Sequence, residues 1–162
     1  MAQPLITLVD WKKYHFLIMD APNDVNLHVY IEQLRKHNVT DVVRICEKTY
    51  DESKVEGEGM AMHELAFADG AAPPAHVLDS WLNLVDHKFK HGDSNETIAV
   101  HCMAGLGRAP VLVAIALIEA GLEWEQAVDH IRSKRRGVMN AKQLKYLQSY
   151  KRRSQGCSCT LL

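Results

Sequence analysis

The sequence has no apolar run long enough to cross a bilayer, since a spanning helix needs about 20 such residues in succession. Its opening, MAQPLITLVD, has no charged stretch leading into an apolar one, so a secretory signal is not expected. Cysteine is sparse, at four. Without a secretory context, four thiols argue for individual roles in a reducing compartment rather than a disulfide framework. No internal repeat and no long linker interrupts the chain, and 162 residues suit one domain around one core. Metal-ligand spacing is missing too. His101-Cys102 and Cys157-x-Cys159 make no familiar zinc pattern, so no metal or cofactor is expected. Acid is absent from the C-terminal end. Residues 132–162 carry nine Lys/Arg and no Asp/Glu, whereas residues 1–131 carry ten and twenty. Such an end reads as a patch for an anionic surface or as a solvated helix face.

What is present is an alternation of strand-like and helix-like segments. YHFLIMD (14–20), VTDVVRIC (39–46), GMAMHELAF (59–67) and ETIAVHC (96–102) are short apolar or β-branched runs that predict strands. VNLHVYIEQLRKHN (25–38) places Leu27, Ile31 and Leu34 on one helical face. AHVLDSWLNLVDHKFK (75–90) does the same with Val77, Trp81, Leu84, Val85 and Phe89. Met60, Met62 and Trp81 read as core. Helices follow at 109–120, closed by Gly121, at 123–135, closed by Gly137, and at about 140–152. Alternating strands and helices predict an α/β domain with a mostly parallel, twisted sheet flanked by helices.

The chemistry concentrates in HCMAGLGRAP (101–110), between the apolar runs TIAV and VLVAIALIEA. A loop leaving the C-terminal end of a strand and opening a helix is where an α/β sheet binds ligands. Backbone N–H groups there converge on a cup that favours an anion. Gly105 and Gly107 permit tight curvature and close approach, and Pro110 suits the first helical turn. Arg108 offers a planar fork for two phosphate oxygens. Cys102 is expected at the floor, its thiolate favoured by the positive surroundings. Such a cradle, formed by Met103, Ala104, Gly105, Leu106, Gly107 and Arg108, suits attack on the phosphorus of a bound monoester to give a cysteinyl-phosphate. A dinucleotide fingerprint is excluded because the third glycine is missing.

His101-Cys102-x5-Arg108 is the signature of cysteine-dependent protein tyrosine phosphatases. HCMAGLGRAPVLVAIALIEAG, with VVRICEKTYD (42–51), FADGAAPP (67–74) and IRSKRRGVMNAKQLKYL (131–147), closely resembles the phosphatase-of-regenerating-liver (PRL) family across nearly the whole chain. The resemblance implies a single-domain, dual-specificity-phosphatase-like fold over residues 1–152, followed by a flexible tail at 153–162. It implies a metal-independent protein tyrosine phosphatase acting on phosphoproteins. The matching general acid is Asp69. Relatives often carry two successive aspartates there, whereas this chain has Ala68-Asp69. By itself Asp69 before Gly70 is also an ordinary turn pairing. Many phosphatases of the superfamily place Ser or Thr after the arginine to help the sulfur leave. Here, as in the PRL family, the residue is Ala109, which predicts a long-lived phosphoenzyme and slow turnover.

Cys46, which alone reads as a small core hydrophobe, matches a family cysteine that forms a redox disulfide with the nucleophile, here Cys102. The family also binds magnesium-transport mediators of the cyclin-M type through the active-site cup, which gives a redox-regulated binding module as the alternative function. It admits a homo-oligomer. Phosphoinositides are a weaker substrate class, because lipid-phosphate phosphatases of the superfamily place lysines in the loop where this chain has Met103, Ala104 and Leu106.

The ending Cys159-Thr160-Leu161-Leu162 fits C-a-a-X, with a final leucine that favours geranylgeranylation, and Cys157 is a candidate for palmitoylation. Lys151, Arg152 and Arg153 upstream would supply the second signal that one lipid needs on an anionic membrane. The expected location is the cytoplasmic face of plasma or endosomal membranes, or the cytosol if unprenylated. Nucleic acid is not expected, since only Tyr146 and Tyr150 interleave with the basic residues.

Overall fold

A computed structural model describes residues 3–90 and 95–153. Five strands form one sheet: β1 (Ile6–Trp11), β2 (Tyr14–Met19), β3 (Val39–Arg44), β4 (Ala61–Glu64) and β5 (Thr97–His101). Their spatial order is β1-β2-β5-β3-β4, with β1 antiparallel to β2 and every other pair parallel. The helices are α1 (Leu27–Lys36), α2 (Ser53–Glu56), α3 (Ala75–Val85), α4 (Arg108–Glu119), α5 (Trp124–Lys134) and α6 (Ala141–Ser149). The expected α/β sheet is present, mostly parallel, with its antiparallel strand at one edge.

The period of two along the strands divides the core into two layers. Phe16, Ile18, Val43, Ile98 and Val100 face α3–α6. Leu17, Met19, Val42 and Ala99 face Leu27, Tyr30, Ile31 and Leu34 of α1. Helix α4 is apolar all round, and ten of its 12 residues are buried, as required of a helix covered on every side. Trp81 of α3 donates its indole N–H to the Leu112 carbonyl at 2.7 Å, so the largest core side chain also has its polar atom satisfied.

Three elements depart from the sequence expectation, the short helix α2 among them. Strand β1 was not foreseen, because the two-residue turn into β2 is Lys12-Lys13 and carries no Asn-Gly signal. Lys12 itself takes the left-handed conformation, with φ of 53°. The segment expected as one helix over 75–90 is α-helical only to Val85. It continues as a π-helical turn, Asp86–Lys90. That wider turn carries Phe89 into the core against Phe16, at 5.5 Å between ring centroids, and brings Lys88 to the sheet.

Lys88 meets a buried carboxylate there. Asp41, in β3 beside a register shift at Thr40, accepts from Lys88 Nζ at 2.9 Å, Thr40 Oγ1 at 2.7 Å and His63 Nε2 at 2.8 Å. Burial alone would raise the Asp41 carboxyl. The hydrogen bonds from His63, Thr40 and Lys88 outweigh it and hold the group well below the usual carboxylate range. A carboxyl depressed in the folded state contributes stability that is present above its unfolded pKa and lost as pH falls below it. Asp41→Ala is therefore expected to cost about 2 kcal/mol at neutral pH, because it removes the shared acceptor of Thr40, His63 and Lys88, while Lys88 keeps its pairing with Glu96 at 2.6 Å. Urea denaturation at pH 7 and again below about pH 4 checks both parts: the gap between parent and variant should narrow in acid.

Candidate active site

Parallel strands bring their C-terminal ends to one edge. In register, Met19 of β2 and Arg44 of β3 flank His101 of β5. Cys102 follows directly, and residues 102–107 connect β5 to α4. Each carbonyl from 103 to 106 is taken from outside the loop. Ala21 N donates to Met103 O at 2.8 Å, and Met139 N donates to Leu106 O at 2.7 Å. Arg135 donates from Nη2 to Ala104 O at 3.0 Å and from Nε to Gly105 O at 2.8 Å. With successive carbonyls turned outward, the peptide N–H groups of the loop turn inward, the arrangement of an anion-binding nest.

The two glycines answer to different constraints. Gly105 has φ of 70°, and a methyl group there would lie 2.6 Å from both the Met19 carbonyl oxygen and Arg135 Nη2. Gly107 has φ of −126°, open to any residue. Its constraint is space, since a methyl would lie 2.8 Å from Gln143 Nε2.

Cys102 is 4% exposed and lines a cavity of about 320 Å³ with Asp69, Arg108, Met139 and Gln143. Arg108, the first residue of α4, donates from Nη1 to the Phe67 carbonyl at 3.0 Å. Its other edge, Nε with Nη2, makes no hydrogen bond among the described residues, and Nε is buried. The Asp69 carboxylate is 3.6 Å from Nε, beyond hydrogen-bonding reach, on an exposed loop whose Gly70 has φ of 79°. A partly buried, half-used guanidinium facing a nest of amides is arranged to take an oxyanion bidentately. A second lobe of about 500 Å³, bordered by Cys46, Glu47 and Phe67, adjoins the cup across Asp69, Met103 and Arg108.

Cys46 follows β3, and Ile45 N donates to His101 O at 2.9 Å, so the β3–β5 pairing runs on to the edge where both cysteines stand. Both thiols are free and buried. Burial pushes the Cys46 thiol up, and the Arg108 charge offsets part of that. Between them lies His101, fully buried, its pKa pushed down to about 4 by burial and by Arg44, against the opposing hydrogen bond to the Cys102 carbonyl. Tyr50 keeps its proton, because burial raises it far above the ordinary phenol. The Cys102 carbonyl that faces Nδ1 can only accept, so Nε2 accepts from the Tyr50 hydroxyl at 2.7 Å and the imidazole proton sits on Nδ1. From there it faces the Cys102 carbonyl at 3.2 Å and Cys46 Sγ at 3.7 Å.

The structure thus brings together Cys102, Arg108, Asp69, Cys46 and the loop from Met103 to Gly107. Three residues without a role in the sequence reading also belong here: Arg135, Tyr50 and Gln143. Nothing local marks them. Arg135 stands among four basic residues, Arg132, Lys134, Arg135 and Arg136, that look alike in sequence. Cys159 lies outside the described residues. Of the basic cluster upstream of it, Arg152 donates to the Ile118 and Leu122 carbonyls, at 2.7 and 2.8 Å, and Arg153 pairs with Asp79 at 2.5 Å. Of the three expected membrane-facing charges, Arg152 is thus bound into the fold, whereas Arg153 is exposed in a surface ion pair.

The family described as polymorphic toxin system, DSP-PTPase phosphatase matches residues 19–122. A probable protein tyrosine phosphatase type IVA A of Dictyostelium discoideum is 48% identical over 156 residues, which is 96% of this chain and 93% of that one. The PRL-1 phosphatase of Drosophila melanogaster is 48% identical over 149 residues, 92% of this chain and 84% of that one. Among solved structures, a putative protein tyrosine phosphatase from Leishmania major superimposes with a TM-score of 0.84 at 42% identity, covering 91% of this chain and 99% of that one.

Proposed function

The chain belongs to the type IVA, or PRL, protein tyrosine phosphatases, and from that membership we propose that Cys102, Arg108 and Asp69 carry its reaction on phosphotyrosine and other phosphoprotein monoesters. The observation that carries this assignment is the buried Nε of Arg108, which makes no hydrogen bond although the Asp69 carboxylate stands 3.6 Å away, in the same cavity as Cys102. The non-bridging oxygens of the substrate take the inward amides of residues 104–107 and the Nε edge of the guanidinium. Cys102 Sγ, as the thiolate, attacks phosphorus in line, the P–O ester bond breaks, and Asp69 gives its proton to the leaving oxygen. Water then attacks the cysteinyl-phosphate, Asp69 takes the water's proton, and the sulfur leaves as thiolate with release of inorganic phosphate.

Ala109 governs the pace of the second step. It is fully buried at the start of α4 and has no hydroxyl to donate to the departing sulfur. The phosphoenzyme is therefore long-lived and turnover slow. The same observation favours a second role, in which the cup serves as a redox-regulated binding site for an acidic loop of a cyclin-M-type magnesium-transport mediator. Cys46 and Cys102 form the switch. Peroxide converts the Cys102 thiolate to a sulfenic acid, Cys46 displaces its oxygen as water, and the disulfide closes the cup until a thiol reduces it. The pairing of β3 with β5 supports that reaction. Residues 1–152 act as the catalytic domain, and the tail carries a prenyl group on Cys159. Because Arg152 is engaged by the Ile118 and Leu122 carbonyls, Lys151 and Arg153 carry the part of the attachment that falls to the basic cluster, and the rest falls to the lipid.

Four outcomes test these assignments. Cys102→Ser is expected to abolish turnover of para-nitrophenyl phosphate, while Ala109→Ser shortens the phosphoenzyme lifetime by about tenfold or more in rapid-quench experiments. An unchanged lifetime would remove Ala109 as the brake. After mild peroxide, non-reducing peptide mass spectrometry should show a Cys46–Cys102 link, with activity restored by dithiothreitol. Recovery of Cys46→Ser as complete as that of the parent would reduce Cys46 to a core residue. Cys159→Ser should move the protein from membrane to soluble fractions, and its retention on membranes would eliminate prenylation as the anchor.

A further inference from the structure

Gln143 occupies an unusual position at the start of α6. Its carboxamide Oε1 accepts from the Asn140 backbone N–H at 2.9 Å, and its own N–H donates to Asn140 Oδ1 at 2.9 Å, closing a reciprocal capping box. A backbone N–H is only a donor, so the atom facing it must be the carboxamide oxygen. That leaves the NH2 group pointing the other way.

The other way is the phosphate cup. Gln143 is 6% exposed, yet it lines the cavity that holds Cys102 and Arg108. Its Nε2 lies against Gly107, so close that a methyl there would meet it at 2.8 Å. Among the described residues Nε2 has no hydrogen-bond partner. The Nε2 atom is not sealed from solvent, so it opens into the cup that Gln143 lines and is available to an acceptor there. The amide nest and the Nε edge of Arg108 make an anion the acceptor that the cup selects.

We propose that Gln143 is a phosphate-binding residue whose Nε2 donates to a non-bridging phosphoryl oxygen at the Gly107 side of the cup. The inference rests on the reading of residues 102–108 as the phosphate site and adds a wall from a helix more than thirty residues downstream. The capping box supplies the rigidity. The oxygen end is tied down, so the donor is held ready before the ligand arrives. Because the donor meets the same oxygen in the bound substrate and in the cysteinyl-phosphate, it contributes to binding in both and lowers KM more than it raises kcat.

Gln143→Glu separates this role from a structural one. The carboxylate keeps an oxygen for the Asn140 N–H, and an acid suits the first turn of a helix, so the melting temperature should stay at the parent's value. The donor is replaced by an anion facing the phosphate. The inhibition constant of orthovanadate and the KM for para-nitrophenyl phosphate should each rise about tenfold or more, with a smaller change in kcat. Gln143→Leu loses both cap and donor. It should melt lower, and it should weaken orthovanadate less than the glutamate does, because it adds no repulsion. Parent-like orthovanadate inhibition of Gln143→Glu, or weakening only in step with a lowered melting temperature, would overturn the proposal. Arg108→Lys, measured alongside, distinguishes the two readings. If it weakens orthovanadate and the Gln143 variants do not, the phosphate site stands and Gln143 leaves it. If it too is without effect, both readings fall.

Discussion

The site depends on where four carbonyls point. Met103, Ala104, Gly105 and Leu106 each have the carbonyl oxygen bound from outside the loop, by the backbone after β2, by Arg135 and by the backbone before α6. A peptide plane is rigid, so pinning the carbonyl outward commits the N–H inward. The anion-attracting interior of the cup is thus built from its exterior. Arg135 has the largest part in this, because it also reaches back to the Leu5 carbonyl and Thr7 Oγ1 beside β1 and so braces the loop against the sheet edge. Burial lowers the Arg135 pKa, a desolvation cost tolerated because four oxygens receive its N–H groups.

Strand β3 organises the charged groups at both ends of the sheet. At the catalytic edge its Arg44 is buried, bound by Glu64, and stacked 4.8 Å from the Tyr50 ring. Arg44 also donates to the Tyr50 carbonyl at 3.3 Å, Tyr50 fixes the tautomer of His101, and His101 faces both cysteines. The order of the two sulfurs thus traces back through a phenol and a guanidinium to a carboxylate on β4. At the other end Asp41 gathers Lys88, Thr40 and His63. A strand buried on both faces admits such charges only where each is matched by hydrogen-bonding partners, and at the two ends of β3 the neighbouring strand β4, the π turn and the segment after β3 supply them.

Much of this was legible along the chain. Period-two and period-3.6 patterns located four strands and five of the helices, and the string HCMAGLGRAP announced an anion cradle with a sulfur at its floor, because strand end, glycines, cysteine and arginine all fall within ten residues. Interactions confined to one turn or one loop are encoded where they occur. Strand β1 escaped because its turn uses a lysine in a conformation that glycine or asparagine usually takes, and the π turn after α3 escaped because one extra residue in a helix leaves the apolar pattern almost intact.

The amino-acid order by itself determined the proposed nucleophile, its arginine, the loop between them and the alternation that makes the sheet mostly parallel. It did not determine who holds the cradle open. Arg135 among its basic neighbours, Tyr50 behind His101 and Gln143 inside a helix cap become functional only when α5, α6 and the segment after β3 converge on one sheet edge. Those contacts join residues 30 to 130 positions apart, whose types are ordinary in their own local settings, and only the folded backbone decides which of them meet.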